Sequence, residues 1–316
     1  MKTPPADYQN PVLDADFPDP AVLLAPDGYY YVYGTQTKRE GRILNLQVAR
    51  SLDLVQWEYL GEGLPNKPTW AAHTQRFWAP DVSRRADGQY LLYYSAQPDA
   101  AGSGMALGVA LADNPAGPFR DSGQPLLAGD PGFRDLDPAR FVDPETQQPL
   151  LFFGSGFGPL RVRELVEDGL SFAPGSYEHE LLQPAGGSYG QLVEGAWVHR
   201  RGEWYYLFYS GNNCCLPGAH YAVLVARARH ATGPYQSLAD ATGTDGTILV
   251  EDDRWLAPGH NAVITDGQGQ DWLLCHAIDR RQPTFDAIND EQGYARRVLV
   301  LHKLNYSAEG WPFISE

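Results

Sequence analysis

No apolar run in the sequence approaches the roughly 20 residues of a membrane span. The opening stretch, MKTPPADYQNP, lacks the apolar core of a signal peptide. These two absences predict no membrane association and a cytoplasmic location, with secretion as the alternative if a leader has been removed. Cysteine is scarce, at three in 316 residues, which excludes a disulfide framework and offers no tight metal-ligand spacing. Cys275 reads as a buried core thiol. The adjacent Cys214 and Cys215 read as packed, reduced thiols in a reducing compartment, with a vicinal disulfide as the other arrangement. Positive charge is also short: 24 Lys and Arg stand against 39 Asp and Glu, a formal charge of −15. That balance argues against nucleic acid or anionic membrane as partner and suits a neutral or cationic ligand. Sustained helical spacing with caps is missing throughout.

What is present is a repeat. Aromatic strands read GYYYVYG (28–34), GQYLLYYS (88–95), QPLLFFG (148–154), GEWYYLFYS (202–210) and QDWLLCH (270–276). Their last residues fall 56 to 66 positions apart, and each is small or a His. A second strand follows each of them, as in NLQVARS (45–51) and HYAVLVARA (220–228), and an alternating strand precedes them, as in AWVHRR (196–201). With 18 Tyr, 33 Gly and 25 Pro, the composition is that of a turn-rich β protein. Three clear strands per unit, with room for a fourth, predict an all-β fold, a five-bladed β-propeller filling residues 1–316 as one domain.

In a propeller, equivalent positions converge on one axis. Ahead of the aromatic strands stand Asp19, Asp81, Asp137, Glu194 and His260, so the repeat predicts four carboxylates and an imidazole at one point. Taken singly, Asp19 in DFPDP and Asp137 in LDP also read as turn residues accepting backbone N–H bonds. Glu194, in VEGAW, also reads as an exposed strand start. Its apolar neighbours predict partial desolvation and a raised pKa, which suits a general acid. Three such acids in phase point to a site.

The motifs NPVL…FPDP (10–20), SLDLVQW (51–57), FWAPDV (77–82), LDP…FVD (136–143), EGAW (194–197), PGHNAV (258–263) and RRV…GWP (296–312) run in an order that resembles glycoside hydrolase family 43, over nearly the whole chain. The resemblance implies a five-bladed propeller that hydrolyses glycosides with inversion. It implies Asp19 as general base, Asp137 as the carboxylate that tunes and orients the acid, and Glu194 as general acid. The retaining fructosidase families differ: their nucleophile motif resembles Asn-Asp-Pro-Asn-Gly and their acid lies in Glu-Cys, where this chain has Phe17-Pro18-Asp19-Pro20-Ala21 and Glu194-Gly195.

On the same reading Phe77, Trp78 and Trp197 are candidate sugar platforms, with buried blade aromatics as the alternative. Asp81 either binds a sugar hydroxyl or caps the WAPD turn. His260 matches a His that contacts a central cation, often calcium with waters, in arabinan-cleaving relatives; a substrate-binding or structural role is the alternative. Arg297 matches a substrate-binding Arg, with Arg296 on the opposite face of its strand. The expected partner is an oligosaccharide. YSGNNCC (209–215) resembles the arabinan-active members, and no β-sandwich of the xylosidase kind follows the propeller. Both favour α-L-arabinofuranosides, and the missing leader favours exo-action on small imported oligosaccharides. The alternatives are a β-D-xylosidase on xylo-oligosaccharides and a non-catalytic carbohydrate-binding propeller. The intact acid trio speaks against the last.

Overall fold

A computed structural model describes residues 2–129, 131–283 and 294–315. Its strands form five antiparallel sheets arranged around one axis. The inner strands of the five blades are Ala21–Leu24, Phe77–Arg84, Ala139–Val142, Val193–Arg201 and Trp255–Thr265. The second strands are Tyr30–Gly34, Tyr90–Ala96, Pro149–Phe153, Trp204–Asn213 and Asp271–Asp279, and they carry the aromatic repeat. Two further strands complete each blade, blade 4 carries a fifth, Thr247–Leu249, on its third strand, and a hairpin of Thr37–Arg39 and Arg42–Leu44 is inserted in blade 1. Among the described residues helix is confined to one α-helical turn, Leu238–Thr242, capped by Ser237, and one 3₁₀ turn, Thr69–Ala71. Among the described residues no helix is long and apolar enough to cross a membrane.

The second strands are aromatic because both of their faces are buried. Side chains alternate across a strand, so each one feeds two different interblade layers. Tyr31 and Tyr33 pack toward blade 2, against Leu92 and Tyr94. Tyr30 and Val32 point the other way, toward Trp272 and Leu274 of blade 5. Leu91 and Tyr93 meet Leu151 and Phe153 of blade 3. Leu150 and Phe152 meet Tyr205, Leu207 and Tyr209 of blade 4, whose Tyr206 and Phe208 meet Leu273 and Cys275 of blade 5. Five layers therefore close the ring, and Cys275 is the buried thiol the sequence predicts.

The N-terminal segment fastens the closure. Phe17 donates its N–H to the Arg297 carbonyl at 2.7 Å, and Asn10 bonds the Leu301 backbone through both ends of its amide, at 2.9 Å each. These bonds set Asp19 of blade 1 beside Arg297 of blade 5.

Candidate active site

The convergence depends on a backbone kink just before or within each inner strand. Asp19, Ala79, Asp137, Gly195 and His260 occupy the left-handed region, with φ of 54°, 42°, 55°, 64° and 48°. This region is costly for residues with a Cβ and is held by surrounding bonds. In blades 2, 4 and 5 the pairing register slips at that point, between Trp78 and Asp81, Glu194 and Trp197, and Gly259 and Ala262. The kinked N–H groups are caught by the neighbouring blade. Those of Asp19, Ala79, Asp137 and His260 donate to His276 Nδ1 (3.2 Å), Thr35 Oγ1 (2.7 Å), Ser95 Oγ (2.9 Å) and Ser210 Oγ (2.8 Å). Gly195 N–H donates instead to Asp137 Oδ2 at 3.1 Å. Small polar residues and a His at or just beyond the aromatic strand ends are thus explained: they lock the next blade's kink.

A cavity of about 550 Å³ opens at this end of the axis, within the usual range of small-molecule sites. Asp19, Asp137, Glu194, His260, Arg297 and Trp78 all line it. Arg297 Nη1 donates to Asp19 Oδ1 at 2.8 Å. His260 Nδ1 lies 3.6 Å from Asp19 Oδ1 and 3.9 Å from Asp137 Oδ2. Tyr221 donates its hydroxyl to Glu194 Oε1 at 2.8 Å.

The acids differ in environment. Burial alone would raise the Asp19 carboxyl, but the Arg297 guanidinium offsets this and holds it well below the usual carboxylate range. Burial pushes Glu194 up to about 7, against the Tyr221 hydrogen bond and with help from the Asp19 charge. Burial, then the charges of Glu194 and Asp19, push Asp137 up as well. The last two titrate as a pair and retain a proton near neutrality. Burial lowers both imidazoles, His276 to about 4, so His276 is neutral and its Nδ1 accepts from Asp19.

A closed five-bladed ring with these acids in one axial cavity matches a known sequence family: the model for glycosyl hydrolases family 43 covers residues 8–312. The chain belongs to glycosyl hydrolases family 43. Among its relatives is an extracellular exo-α-(1→5)-L-arabinofuranosidase of Cellvibrio japonicus, 30% identical over 86% of this chain and 80% of that protein. Another is an extracellular endo-α-(1→5)-L-arabinanase of Bacillus subtilis, 28% identical over 93% of this chain and 69% of that protein. The solved α-L-arabinanase of Cellvibrio cellulosa, complexed with arabinohexaose, superposes with a TM-score of 0.76 at 26% identity, covering 95% of each chain.

Within this family-43 propeller several sequence expectations need correction. Phe77 is fully enclosed between blades 1 and 2 and does not line the cavity. It and Trp78 are consecutive on a strand, so only one can face the axis, and Trp78 does. Trp197 packs among core residues of blade 5, with its indole N–H on the Val263 carbonyl at 3.2 Å. Asp81 is buried, and its carboxylate accepts the Arg140 backbone N–H at 2.7 Å. It lies two residues past the kink, so Ala79 is its blade's true counterpart of Asp19 and Asp137. Glu194 lies one residue before its kink and is in register with Trp78, each pairing with a terminal Ser, Ser210 and Ser95. Cys214 and Cys215 form a vicinal disulfide in the cavity wall rather than free thiols.

Other residues of the site were not legible beforehand. Asp16 accepts Arg297 N–H at 3.0 Å and the Thr37 hydroxyl at 2.7 Å, and burial raises it to about 6. Phe133 stacks on Trp78, with centroids 6.1 Å apart and planes 6° from parallel, and Phe157 stands exposed at the rim. Both sit in irregular loops outside the repeat. His276 had a signal, as the one imidazole among the small strand-end residues.

Proposed function

We propose that this family-43 hydrolase releases L-arabinofuranose from α-L-arabinofuranosides, such as arabino-oligosaccharides, by single-displacement inversion and exo-action. The observation that carries the reading is the contrast between Asp19, held ionised by Arg297, and the Asp137–Glu194 pair, kept protonated by burial and mutual charge. Environments that push carboxyls apart assign base and acid. Asp19 takes a proton from water as that water attacks the anomeric carbon. Glu194 gives its proton to the glycosidic oxygen as the carbon–oxygen bond breaks. Asp137, hydrogen-bonded to the backbone beside Glu194, repels charge on it and so keeps the proton in place.

Inversion is supported by the separation of the two acids. They stand on blades 1 and 4, which are not neighbours, and the stacked rings of His276 and Tyr221 lie between them. A gap that admits water distinguishes inverting from retaining pairs. Arabinofuranosyl specificity is supported by the names of the relatives, and exo-action by the relative at 30% identity. Trp78, backed by Phe133, offers the apolar face on which a sugar ring stacks.

A central cation, calcium by the resemblance, would sit beside His260. A smaller cavity of about 20 Å³ lies on the axis, lined by Asp81, Asp137, His260 and Asn261. Both amide atoms of Asn261 are buried with no partner among the described residues, and its Oδ1 is an oxygen ligand of the kind calcium takes. The small cavity has room for about one water, so a hydration shell would extend into the larger cavity, which His260 also lines. Among the described residues no group of three His, Cys, Asp or Glu side chains is arranged to hold a metal ion, so water would complete the shell around His260 and Asn261. Its chemistry would be electrostatic, favouring ionised carboxylates.

The test is hydrolysis of nitrophenyl α-L-arabinofuranoside, nitrophenyl β-D-xyloside and linear arabinan side by side. Turnover of the first, with arabinose as the initial product from arabinan, is expected. Preference for the xyloside, or a ladder of longer products from arabinan, would overturn the substrate or the mode of action.

A further inference from the structure

We propose that Tyr221 is a positioning residue that fixes which oxygen of Glu194 carries the transferable proton. This rests on the reading of Glu194 as proton donor. The Tyr221 hydroxyl donates to Glu194 Oε1 at 2.8 Å. Burial and the surrounding carboxylates raise the phenol well above its usual range, so it stays a donor. An oxygen that accepts this bond is the carbonyl oxygen of the protonated acid. The proton then resides on Oε2, which no other hydrogen bond from the described residues reaches. As the glycosidic bond breaks, the Oε2–H bond breaks and its proton goes to the leaving oxygen. The electron pair left behind is shared with Oε1, where the Tyr221 bond strengthens. Such a bond favours the transition state over the ground state.

The surroundings of Tyr221 fit this single task. Its ring is fully buried and stacked on His276, with centroids 5.7 Å apart and planes 3° from parallel. His276 in turn holds the Asp19 backbone N–H. One rigid pair of rings therefore fixes both the base and the acid. Space for the ring comes from Gly259: a Cβ there would lie 2.2 Å from the Tyr221 ring. This explains the glycine of PGHNAV, whose φ is not positive.

The experiment compares Tyr221→Phe with wild type on two α-L-arabinofuranosides, arabinobiose with its sugar leaving group and the dinitrophenyl arabinofuranoside. The variant keeps the stacked ring, and a melting curve checks its fold. The kcat for arabinobiose should fall about 10- to 100-fold, the worth of one hydrogen bond to a group gaining charge. The dinitrophenyl substrate needs no proton and should lose less than about 3-fold, with KM little changed for either. In a Glu194→Gln background, adding Tyr221→Phe should cost nothing further on arabinobiose. Equal losses on both substrates, or an undiminished loss in that background, would make Tyr221 merely structural and overturn the proposal. Wild-type rates on both substrates would overturn it too. If wild type hydrolyses neither substrate, the reading of the site fails before Tyr221 is at issue.

Discussion

Arg297 and Asp19, 278 positions apart in sequence, meet across the seam between blades 5 and 1, where the guanidinium donates to the carboxylate at 2.8 Å. Both are nearly buried, at 7% and 8% exposure. A buried ion pair contributes little net stability, but removing one partner strands the other charge. Arg297→Met should therefore destabilise the fold by about 3–5 kcal/mol at neutral pH, and activity should fall with it. The pKa of Asp19 is lower folded than unfolded, so its contribution is present above the unfolded value and lost as pH falls through the folded one. The gap between wild type and Arg297→Met in urea denaturation should hold at pH 7 and shrink below about pH 4. A gap independent of pH would assign the loss to packing.

Glu194→Gln tests the acid. Turnover of substrates with sugar leaving groups should drop by about 10²- to 10⁴-fold, the usual range for losing general acid catalysis. Aryl substrates with good leaving groups should be affected far less. Equal loss on both would remove Glu194 from the role.

The five-bladed ring was legible because interblade packing imposes the same demand five times. The second strands need apolar side chains on both faces, so the aromatic repeat survives in the sequence. The positions of Asp19, Asp137, Glu194 and His260 in one cavity followed from the same period. Asp81 lines only the small axial cavity and not the large one that holds the trio, because the period counts residues whereas the backbone turns into that site at the left-handed kink, which falls at Ala79 in blade 2. Phe77 and Trp197 misled because adjacent strand residues face opposite sides, and composition does not say which side is wet. Asp16 was invisible because its partner Arg297 lies 281 positions away. Tyr221 bonds Glu194 within the same blade, only 27 positions off, but it sits on a third strand that the repeated phase of acids and aromatics does not mark. The Cys214–Cys215 bond depends on redox history as well as on sequence, and no spacing rule reports it.

The pH profile should reflect the acid pair. Glu194 is raised to about 7 by burial, and Asp137 is raised with it. The working form needs the pair protonated and Asp19 ionised, and Asp19 is ionised well below the usual carboxylate range. The kcat/KM should therefore be flat through weakly acid pH and decline above about pH 7, as the pair loses its proton. A rate that climbs from pH 7 to pH 9 would rule out this pair as the proton source.

Stereochemistry tests the use of water. NMR of the first-formed sugar should show the inverted anomer, because Asp19 and Glu194 stand on the non-adjacent blades 1 and 4, both lining one cavity with room for a water between them. A retained anomer would require a covalent glycosyl intermediate on Asp19, and the assignment of that residue as a base would fail.

The axis offers the last test. His260 lines both the large cavity and the small one beneath it, and burial lowers its pKa, leaving a neutral imidazole able to ligate. An imidazole and one amide hold a hard cation weakly, so bound calcium would depend on water for most of its shell and exchange readily. Treatment with a chelator should then lower activity partially, and added calcium should restore it. His260→Ala should abolish that response and leave whatever activity the acids sustain without the ion. Calcium binding measured by calorimetry should follow the same pattern, present in wild type and lost in His260→Ala and Asn261→Ala. If calorimetry detects no calcium and the chelator has no effect, His260 acts only through its contacts with Asp19 and Asp137, holding the two carboxylates apart at 3.6 and 3.9 Å from one ring nitrogen.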